Sequence, residues 1–304
     1  MSDLRIRIRR VTCVLVTAIL LIAAGTARSD QAPGGATQSR GSDSASRAKK
    51  TDAQFTATIN QIVDSAYAKN HLPSITVVIA SRGAPFYQHS DGYLDLAKKI
   101  TATPNSAYHI GSVSKQFTAV AILLLAKAKP PKLSIDDPIS KYFPGLDHRI
   151  TIRQMMTMTS GLKDYLSLPQ TERWARSGVT PAEVAATIAP MPLNFTPGAV
   201  FQYSNTNYML LAGVVEKVSG LKFGDFLRKR LLAPAHLQTI YEDRVPGIPN
   251  AAGYAGKDNK PAPELAPSLL LGAGGISASM VDLVQWNRLL LGGRILPPQT
   301  VTIM

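Results

Sequence analysis

The stretch HIGSVSKQFTAVAILLLAKAK, His109 to Lys129, decides how this chain is interpreted. Gly111 precedes Ser112, and Lys115 follows three residues later, at the start of a long apolar run. A spacing of three places the serine hydroxyl and the lysine amine on one helix face, and the apolar run predicts a buried helix. Burial disfavours the charged lysine, which leaves a neutral amine able to accept the serine proton. The alternative is an ordinary helix start with a solvated lysine.

The same serine and lysine spacing occurs at three other places, Ser46/Lys49, Ser160/Lys163 and Ser219/Lys222. Ser46 lies in a polar segment that would not hold its geometry. Ser160 and Ser219 each precede a glycine after a helix-like run, which predicts a helix C-terminus, where the local dipole is negative. Only Ser112 begins a helix, so it is the candidate nucleophile.

A second motif lies in FTPGAVFQYSNTNYMLLAGVVEKVSG, which contains the single Tyr-x-Asn of the chain, Tyr203-Ser204-Asn205. Beside a lysine ammonium, the Tyr203 phenolate becomes accessible and can relay protons to a leaving group. The Asn205 amide offers a donor and an acceptor, which suits the binding of a substrate amide. The alternative for Asn205 is a cap on the helix that follows.

The N-terminus predicts export. Residues 1–27 combine the basic MSDLRIRIRR, an apolar run and small residues at Gly25 and Ala27, which is typical of a signal peptide cleaved after Ala27. An uncleaved anchor is the alternative, although the apolar run is short for a bilayer span. Residues 28–50 are rich in Ser, Gly and Ala and predict a flexible linker. Residues 51–304 form the predicted folded domain, located in the periplasm or secreted.

Composition excludes several function classes. With 45% hydrophobic and 17% charged residues, the chain is neither disordered nor fibrous. Loss of residues 1–27 removes four arginines and one aspartate, so the net charge falls from +13 to +10. A basic exported protein suits an anionic wall or membrane surface, and a solvated basic face explains the charge equally well. Dispersed Lys and Arg predict no nucleic-acid partner.

Metal and cofactor motifs are not found in the sequence. Cys13, the single cysteine, lies inside the predicted signal, so the mature chain excludes disulfides and Cys-ligated metals. None of the five histidines is paired at the i, i+4 spacing of a helical zinc site. We therefore predict neither a metal site nor a cofactor.

The first elements predict a helix followed by antiparallel strands. The segment FTATINQIVDSAYAKN puts apolar residues on one helical face, at Phe55, Ile59, Ile62, Val63 and Tyr67. The next segment predicts a strand over 74–80, a turn at Arg82-Gly83 and a second strand through about Tyr93. We expect an α/β (α+β) architecture, in which residues 51–108 and those from about 270 onward form an antiparallel sheet flanked by helices, with a mainly helical region between.

The chain resembles the serine beta-lactamase and penicillin-binding-protein superfamily, most closely its class C-like branch, which includes D-alanyl-D-alanine carboxypeptidases and small-ester hydrolases. The resemblance covers residues from about 55 to the end and rests on four segments in order: HIGSVSKQFTA, TIRQMMTMTSGL, FTPGAVFQYSNTNYMLLAGVVEKVSG and GAGGISASMVDLVQW. It implies a beta-lactamase/transpeptidase-like fold, Ser112 as acylated nucleophile, Lys115 and Tyr203 as the general base pair, and Asn205 as substrate binder.

Two departures from the family pattern affect the expected site. Met158 stands where the family usually has histidine, which we interpret as a packing difference. The family's third motif, Lys-Thr-Gly or His-x-Gly on a strand beside the nucleophile, is not reached before Met304. That strand supplies an oxyanion donor, and the loss of one such donor costs about 2.7–4 kcal/mol. We expect a truncated form of a longer protein or a degenerate copy, with an incomplete sheet and one open face of the cleft.

Two functions follow from the sequence. The first is an exported serine hydrolase that forms an acyl-enzyme with a beta-lactam, a D-amino-acid peptide derived from peptidoglycan, or a small ester. The second is a noncatalytic or turnover-deficient protein that binds penicillin or wall fragments. Both require the side chains of Ser112, Lys115 and Tyr203 to converge, with Asn205 lining the same cleft.

Overall fold

The structure, a computed structural model, describes the backbone of residues 40–81 and 84–304 and the side chains of 53–81 and 86–304. The predicted signal peptide, residues 28–39 of the predicted linker and the predicted Arg82-Gly83 turn lie outside the described residues. Within the part that is described, no helix is both long and apolar enough to cross a membrane.

The described chain begins with a helix and a hairpin. Helix α1 spans Arg40–Lys69, strand β1 spans Ser74–Ser81 and strand β2 spans Ala84–Asp95. The two strands pair antiparallel, and the short strand β3, Ile100–Thr101, adds to the other edge of β2. The β-branched residues of SITVVIAS favour the extended backbone. The predicted hairpin is confirmed.

Helix α1 starts earlier than expected and is less buried. Residues 40–50, predicted as linker, continue the helix, because Ala, Arg and Lys favour helix and extending an existing helix needs no new nucleus. On the predicted apolar face Val63 is buried, whereas Phe55 and Ile62 are exposed. The Phe55 ring packs instead on Phe86 of β2, with 5.5 Å between ring centroids.

Five further strands form two more antiparallel sheets: β4 (Ala107–His109), β5 (Ile240–Glu242), β6 (Tyr254–Ala255), β7 (Lys260–Pro261) and β8 (Ile276–Ser279). Strand β8 lies between β4 and β5, and β6 pairs with β7. The expected pairing of residues 51–108 with residues from about 270 is present in β4 and β8, whereas β1, β2 and β3 form a sheet of their own. Strand β8 is buried along its whole length and pairs with β4, the strand that leads into the nucleophile motif.

The region between β4 and β8 is mainly helical, as predicted. A 3-10 turn at Gly111–Ser114 precedes the first of its helices. The α-helices after α1 are α2 (Lys115–Ala126), α3 (Ile152–Met156), α4 (Thr171–Ser177), α5 (Pro181–Ile188), α6 (Asn205–Ser219), α7 (Phe223–Leu227), α8 (Met280–Leu291) and α9 (Pro298–Val301).

Helices α2 and α6 form the centre of the hydrophobic core. Phe117, Val120 and Ile122 of α2 are fully buried, as are most residues of α6. Each buried side chain of this size contributes about 1.5–3 kcal/mol. The core therefore fixes the start of α2, where Ser112 and Lys115 lie, relative to the start of α6, where Tyr203 and Asn205 lie.

Candidate active site

The turn before α2 exposes Ser112, and the start of α2 buries Lys115. Gly111 has a φ of 53°, a left-handed conformation that glycine adopts without steric cost. Ser112 is exposed to solvent, whereas Lys115 is only 8% exposed. Among the described residues, the Ser112 N–H has no backbone acceptor. It lies at a helix start, where free N–H groups favour negative charge.

The Lys115 amine contacts three acceptors. Its Nζ donates to the Ala273 carbonyl at 2.6 Å and to Asn205 Oδ1 at 2.9 Å, and it lies 3.1 Å from Ser112 Oγ. A neutral amine has two N–H groups and one lone pair. When Ala273 and Asn205 accept the two N–H groups, the lone pair is directed at the Ser112 hydroxyl.

The pKa of Lys115 suits a general base. Burial lowers its pKa from 10.5 to about 8, and the nearby Asp164 carboxylate opposes this shift. At pH 7, a group of this pKa is neutral in about one molecule in ten. The neutral form is therefore populated under ordinary conditions.

Tyr203, which lies just before α6, completes the contacts of Ser112. Its hydroxyl forms a short hydrogen bond with Ser112 Oγ, and its ring lies 4.7 Å from Lys115 Nζ. Burial raises the pKa of Tyr203, an effect that its bond to Ser112 opposes and that Asp164 reinforces. Desolvation therefore disfavours the phenolate that the sequence analysis expects. Tyr203 is a phenol that can donate a proton.

Asn205 connects Lys115 to a residue that the sequence analysis missed. Asn205 is the first residue of α6, after the N-cap Ser204. Its Oδ1 accepts from Lys115, and its Nδ2 donates to Asp164 Oδ2 at 2.8 Å. The contacts show Asn205 positioning Lys115, and substrate binding by Asn205 stays a prediction.

The structure thus brings Ser112, Lys115, Tyr203 and Asn205 together, while their catalytic roles stay predictions. Sequence reasoning missed Asp164 and Ala273. Asp164 is 41 residues from Asn205 in sequence, and Ala273 acts through a main-chain carbonyl that no side-chain pattern reveals. The glycines around Ala273 were the available signal, because they mark a close backbone approach.

The three rejected serine and lysine pairs occupy other environments. Ser219 ends α6 and is followed by a left-handed Gly220, as predicted. Ser160 is not a helix end, because α3 stops at Met156; its buried hydroxyl donates to Asn207 Oδ1 at 2.6 Å. Ser46 lies in α1 rather than in a linker, and its side chain lies outside the described residues.

Met158 packs against the segment that leads into Tyr203. Its side chain is buried, and its sulfur accepts from Asn207 Nδ2 at 3.3 Å. Its carbonyl accepts from Gln202 N at 2.9 Å, next to Tyr203. These contacts agree with the interpretation of Met158 as a packing residue.

The site is open to solvent on the side of residues 201–203. Phe201 is 70% exposed and Tyr203 is 45% exposed. A groove of about 750 Å³ between the 145–149 and 188–196 segments includes none of the four predicted site residues. Within the described residues, Asp64, His89 and Asp91 form the one group with metal-ligand geometry. They lie on α1 and β2, and none of them contacts Ser112 or Lys115.

Comparison with known proteins is consistent with these motifs. A Beta-lactamase family profile matches residues 59–304. Penicillin-binding protein 4* of Bacillus subtilis (strain 168) is 32% identical over 196 residues, which cover 61% of this chain and 42% of that protein. The chain spans about two fifths of the length of the curated relatives it matches.

Two solved structures share the fold. The octameric penicillin-binding protein homologue from Pyrococcus abyssi has a TM-score of 0.70 and 26% identity, covering 81% of this chain and 59% of that chain. A D-stereospecific amidohydrolase from Streptomyces sp. has a TM-score of 0.65 and 27% identity, covering 78% of this chain and 74% of that chain. Because the family profile covers most of the chain and all four predicted site residues, this protein belongs to the beta-lactamase family of serine hydrolases.

Proposed function

We propose that this protein is an exported serine hydrolase that acylates Ser112 with a beta-lactam, a D-amino-acid peptide or a small ester and then hydrolyses the acyl-enzyme. The observation that carries the proposal is the triple contact of Lys115, in which two fixed acceptors direct the third position of Nζ at Ser112 Oγ. Such an arrangement suits a general base for a serine nucleophile.

The reaction balances with the groups at the site. Ser112 Oγ bonds to the acyl carbon while Lys115 Nζ takes the hydroxyl proton. The Tyr203 phenol gives a proton to the leaving nitrogen or oxygen, and the proton held by Lys115 restores the phenol. Water then attacks the ester carbon, its proton returns through Lys115 to Ser112, and the acid is released.

The substrate classes follow from the chemistry of the site. A serine nucleophile acts on a strained lactam, a peptide amide or an ester through the same tetrahedral intermediate. The printed names of the relatives include a penicillin-binding protein and a D-stereospecific amidohydrolase. The exposure of Ser112 leaves room for any of these acyl groups.

Intact-mass spectrometry over time tests the proposal. The protein is mixed with a fluorescent penicillin or with p-nitrophenyl acetate, and we expect an adduct on Ser112 that decays. Ser112→Ala removes the adduct, and the control Ser219→Ala, from a rejected pair, leaves it unchanged. A permanent adduct supports the alternative of a turnover-deficient penicillin binder. Penicillin that binds without forming an adduct also supports that alternative. The absence of an adduct, of hydrolysed product and of bound penicillin contradicts both.

Export has its own test. We expect cell fractionation to place the full chain outside the cytoplasm, with a mature N-terminus at Arg28, because residues 1–27 have the features of a cleaved signal. Retention of Met1 in the cytoplasmic fraction would contradict this part of the proposal.

A further inference from the structure

We propose that Asp164 is a positioning residue of this site, whose carboxylate anchors the Asn205 amide and acts electrostatically on Lys115. The inference rests on the proposed function and adds to it a residue that no sequence motif marks. It starts from two hydrogen bonds that use both oxygens of the carboxylate.

The first bond fixes the carboxylate within its own turn. Asp164 is the N-cap of the 3-10 turn Tyr165–Ser167, and its Oδ1 accepts from Leu166 N at 3.0 Å. Its Oδ2 is therefore held in one direction, toward Asn205 Nδ2 at 2.8 Å. A carboxylate accepts and does not donate, so it selects the amide nitrogen of Asn205.

That selection determines which atom Asn205 presents to Lys115. With Nδ2 facing Asp164, Oδ1 faces Lys115 Nζ at 2.9 Å. If the amide rotated by about 180°, its NH₂ group would face the N–H groups of Lys115, and two sets of donors would meet. Asp164 prevents this rotation and so keeps an acceptor in place for the lysine.

The turn that contains Asp164 and the start of α6 are also joined by two other hydrogen bonds. Thr206, next to Asn205, donates its hydroxyl to the Lys163 carbonyl at 2.6 Å and accepts from Tyr165 N at 2.9 Å. Both neighbours of Asp164 are therefore bound to the start of α6. The Thr206 hydroxyl, bound to the main chain on both sides of Asp164, therefore holds Asp164 close to Asn205.

The groups around Lys115 make Asp164 electrostatically important. Nζ faces Ser112, Asn205, the Ala273 carbonyl and the rings of Tyr203 and Tyr208, all of them formally uncharged. Among the described residues, Asp164 supplies the charge that raises the pKa of Lys115 against its burial. The adjacent Lys163 is directed elsewhere and donates to Asn194.

Three variants separate the charge from the hydrogen bond. Asp164→Asn removes the charge and leaves one acceptor oxygen, which can accept from Leu166 N or from Asn205 Nδ2 but not from both. Asp164→Glu keeps the charge but lengthens the side chain, and Asp164→Ala removes both. Asp258→Asn, the same change at an exposed position in the β6–β7 turn, is the matched control.

A titration of Lys115 tests the electrostatic effect without any substrate. Lysine labelled with ¹³C at Cε is followed by NMR from pH 6 to 11, and the Lys115 signal is assigned with Lys115→Arg. We expect the Lys115 midpoint to fall by about one pH unit in Asp164→Asn, and to stay near that of the wild type in Asp164→Glu and Asp258→Asn. A midpoint in Asp164→Asn equal to that of the wild type overturns the proposal.

Acylation by fluorescent penicillin as a function of pH tests the positioning. For Asp164→Asn, we expect the rise of the acylation rate with pH to occur at lower pH, by the same interval as the Lys115 midpoint. For Asp164→Ala, we expect the acylation rate to fall about tenfold or more at every pH, because Asn205 is no longer held in place. If both variants are active and keep the wild-type dependence of acylation rate on pH, the inference about Asp164 is overturned and the proposed function is not. A wild type that is never acylated contradicts the proposed function, while the titration still decides whether Asp164 acts on Lys115. If Asp164→Asn does not fold, a Lys115 midpoint shifted by a full unit in Asp164→Glu overturns the inference.

Discussion

At the scale of single residues, Lys115 determines the expected pH dependence. Its pKa is lowered to about 8 by burial, and only the deprotonated amine accepts the Ser112 proton. Acylation should therefore increase as the pH rises through about 8 and be roughly tenfold faster at pH 9 than at pH 7. Stopped samples with fluorescent penicillin, corrected for spontaneous lactam hydrolysis, measure this rate. A flat profile from pH 6 to 10 is inconsistent with Lys115 as base.

Tyr203 allows its hydroxyl and its ring to be tested separately. Tyr203→Phe keeps the ring beside Lys115 and removes the group that bonds to Ser112 Oγ. We expect acylation to slow by about a hundredfold, the lower range for loss of an acid or base group. The melting temperature should change little, because the side chain is 45% exposed.

Tyr93, which is 41% exposed on β2, provides the control variant Tyr93→Phe. Its acylation rate should equal that of the wild type. Equal rates in Tyr203→Phe and Tyr93→Phe would remove Tyr203 from the mechanism.

The sequence predicted which side chains come together at the site better than it predicted their protonation. A helix start with a serine and a lysine is a local pattern, and Tyr203 belongs to a motif, so both were visible. The direction of the Tyr203 pKa shift was not visible, because it depends on burial by residues distant in sequence. Asp164 was missed for the same reason, because its importance comes from the hydrogen bonds between its turn and α6.

At the scale of elements, the close approach of the 272–275 turn to α6 is the sensitive contact. Gly272 has a φ of +65°, and a Cβ placed there would lie 2.5 Å from Ala212 Cβ and 2.8 Å from the Tyr208 carbonyl. Gly272→Ala should force α6 away from the turn and destabilise the protein by about 1–3 kcal/mol. It should also displace Ala273 from Lys115.

Gly256→Ala is the matched control for this prediction. Gly256 also has a positive φ, +73°, but its Cβ would meet open space. Urea unfolding of both variants separates the backbone strain they share from the steric clash that only Gly272→Ala adds. Equal losses of unfolding free energy in the two variants would show that the 272–275 turn can move and relieve the clash.

Elements with a strong local pattern were predicted well, and those defined by distant pairing were predicted only in part. The β-branched residues of β1 and the turn residues Arg82-Gly83 identified the hairpin. Strand β8 pairs with β4, as residues 51–108 and those from about 270 were expected to do, but its other partner β5 lies in the region expected to be helical, and no local pattern indicated that pairing. The apolar spacing of α1 was present, but burial of Phe55 and Ile62 depends on what the fold places against them.

At the scale of the whole molecule, Glu242 links stability to pH. Glu242 of β5 has a pKa raised to about 7 by burial, then by Glu216 of α6. The ordinary value is 4.5, so between pH 4.5 and 7 the folded state binds more protons than the unfolded state. The stabilising effect of the protonated group is therefore complete below pH 4.5 and is lost as the pH rises to about 7.

Glu242→Gln should remove this dependence. The amide stays neutral, so above pH 7 the variant should be more stable than the wild type by a value on the order of 2 kcal/mol. Below pH 4.5 the two proteins should differ little. Thermal or urea unfolding at pH 4, 6 and 8 measures the difference, and a gap that does not change with pH would exclude Glu242 as its source.

The contact between Lys115 and Ala273 joins residues 158 positions apart. Ribosomes release the serine motif long before they release its completing carbonyl, so a nascent chain that ends ahead of residue 273 carries Ser112 without its fully assembled base. Ribosome-bound chains stopped at residue 260 should therefore resist a penicillin probe that labels the 304-residue chain. We therefore expect reactivity toward the probe to appear only after residue 273 has left the ribosome.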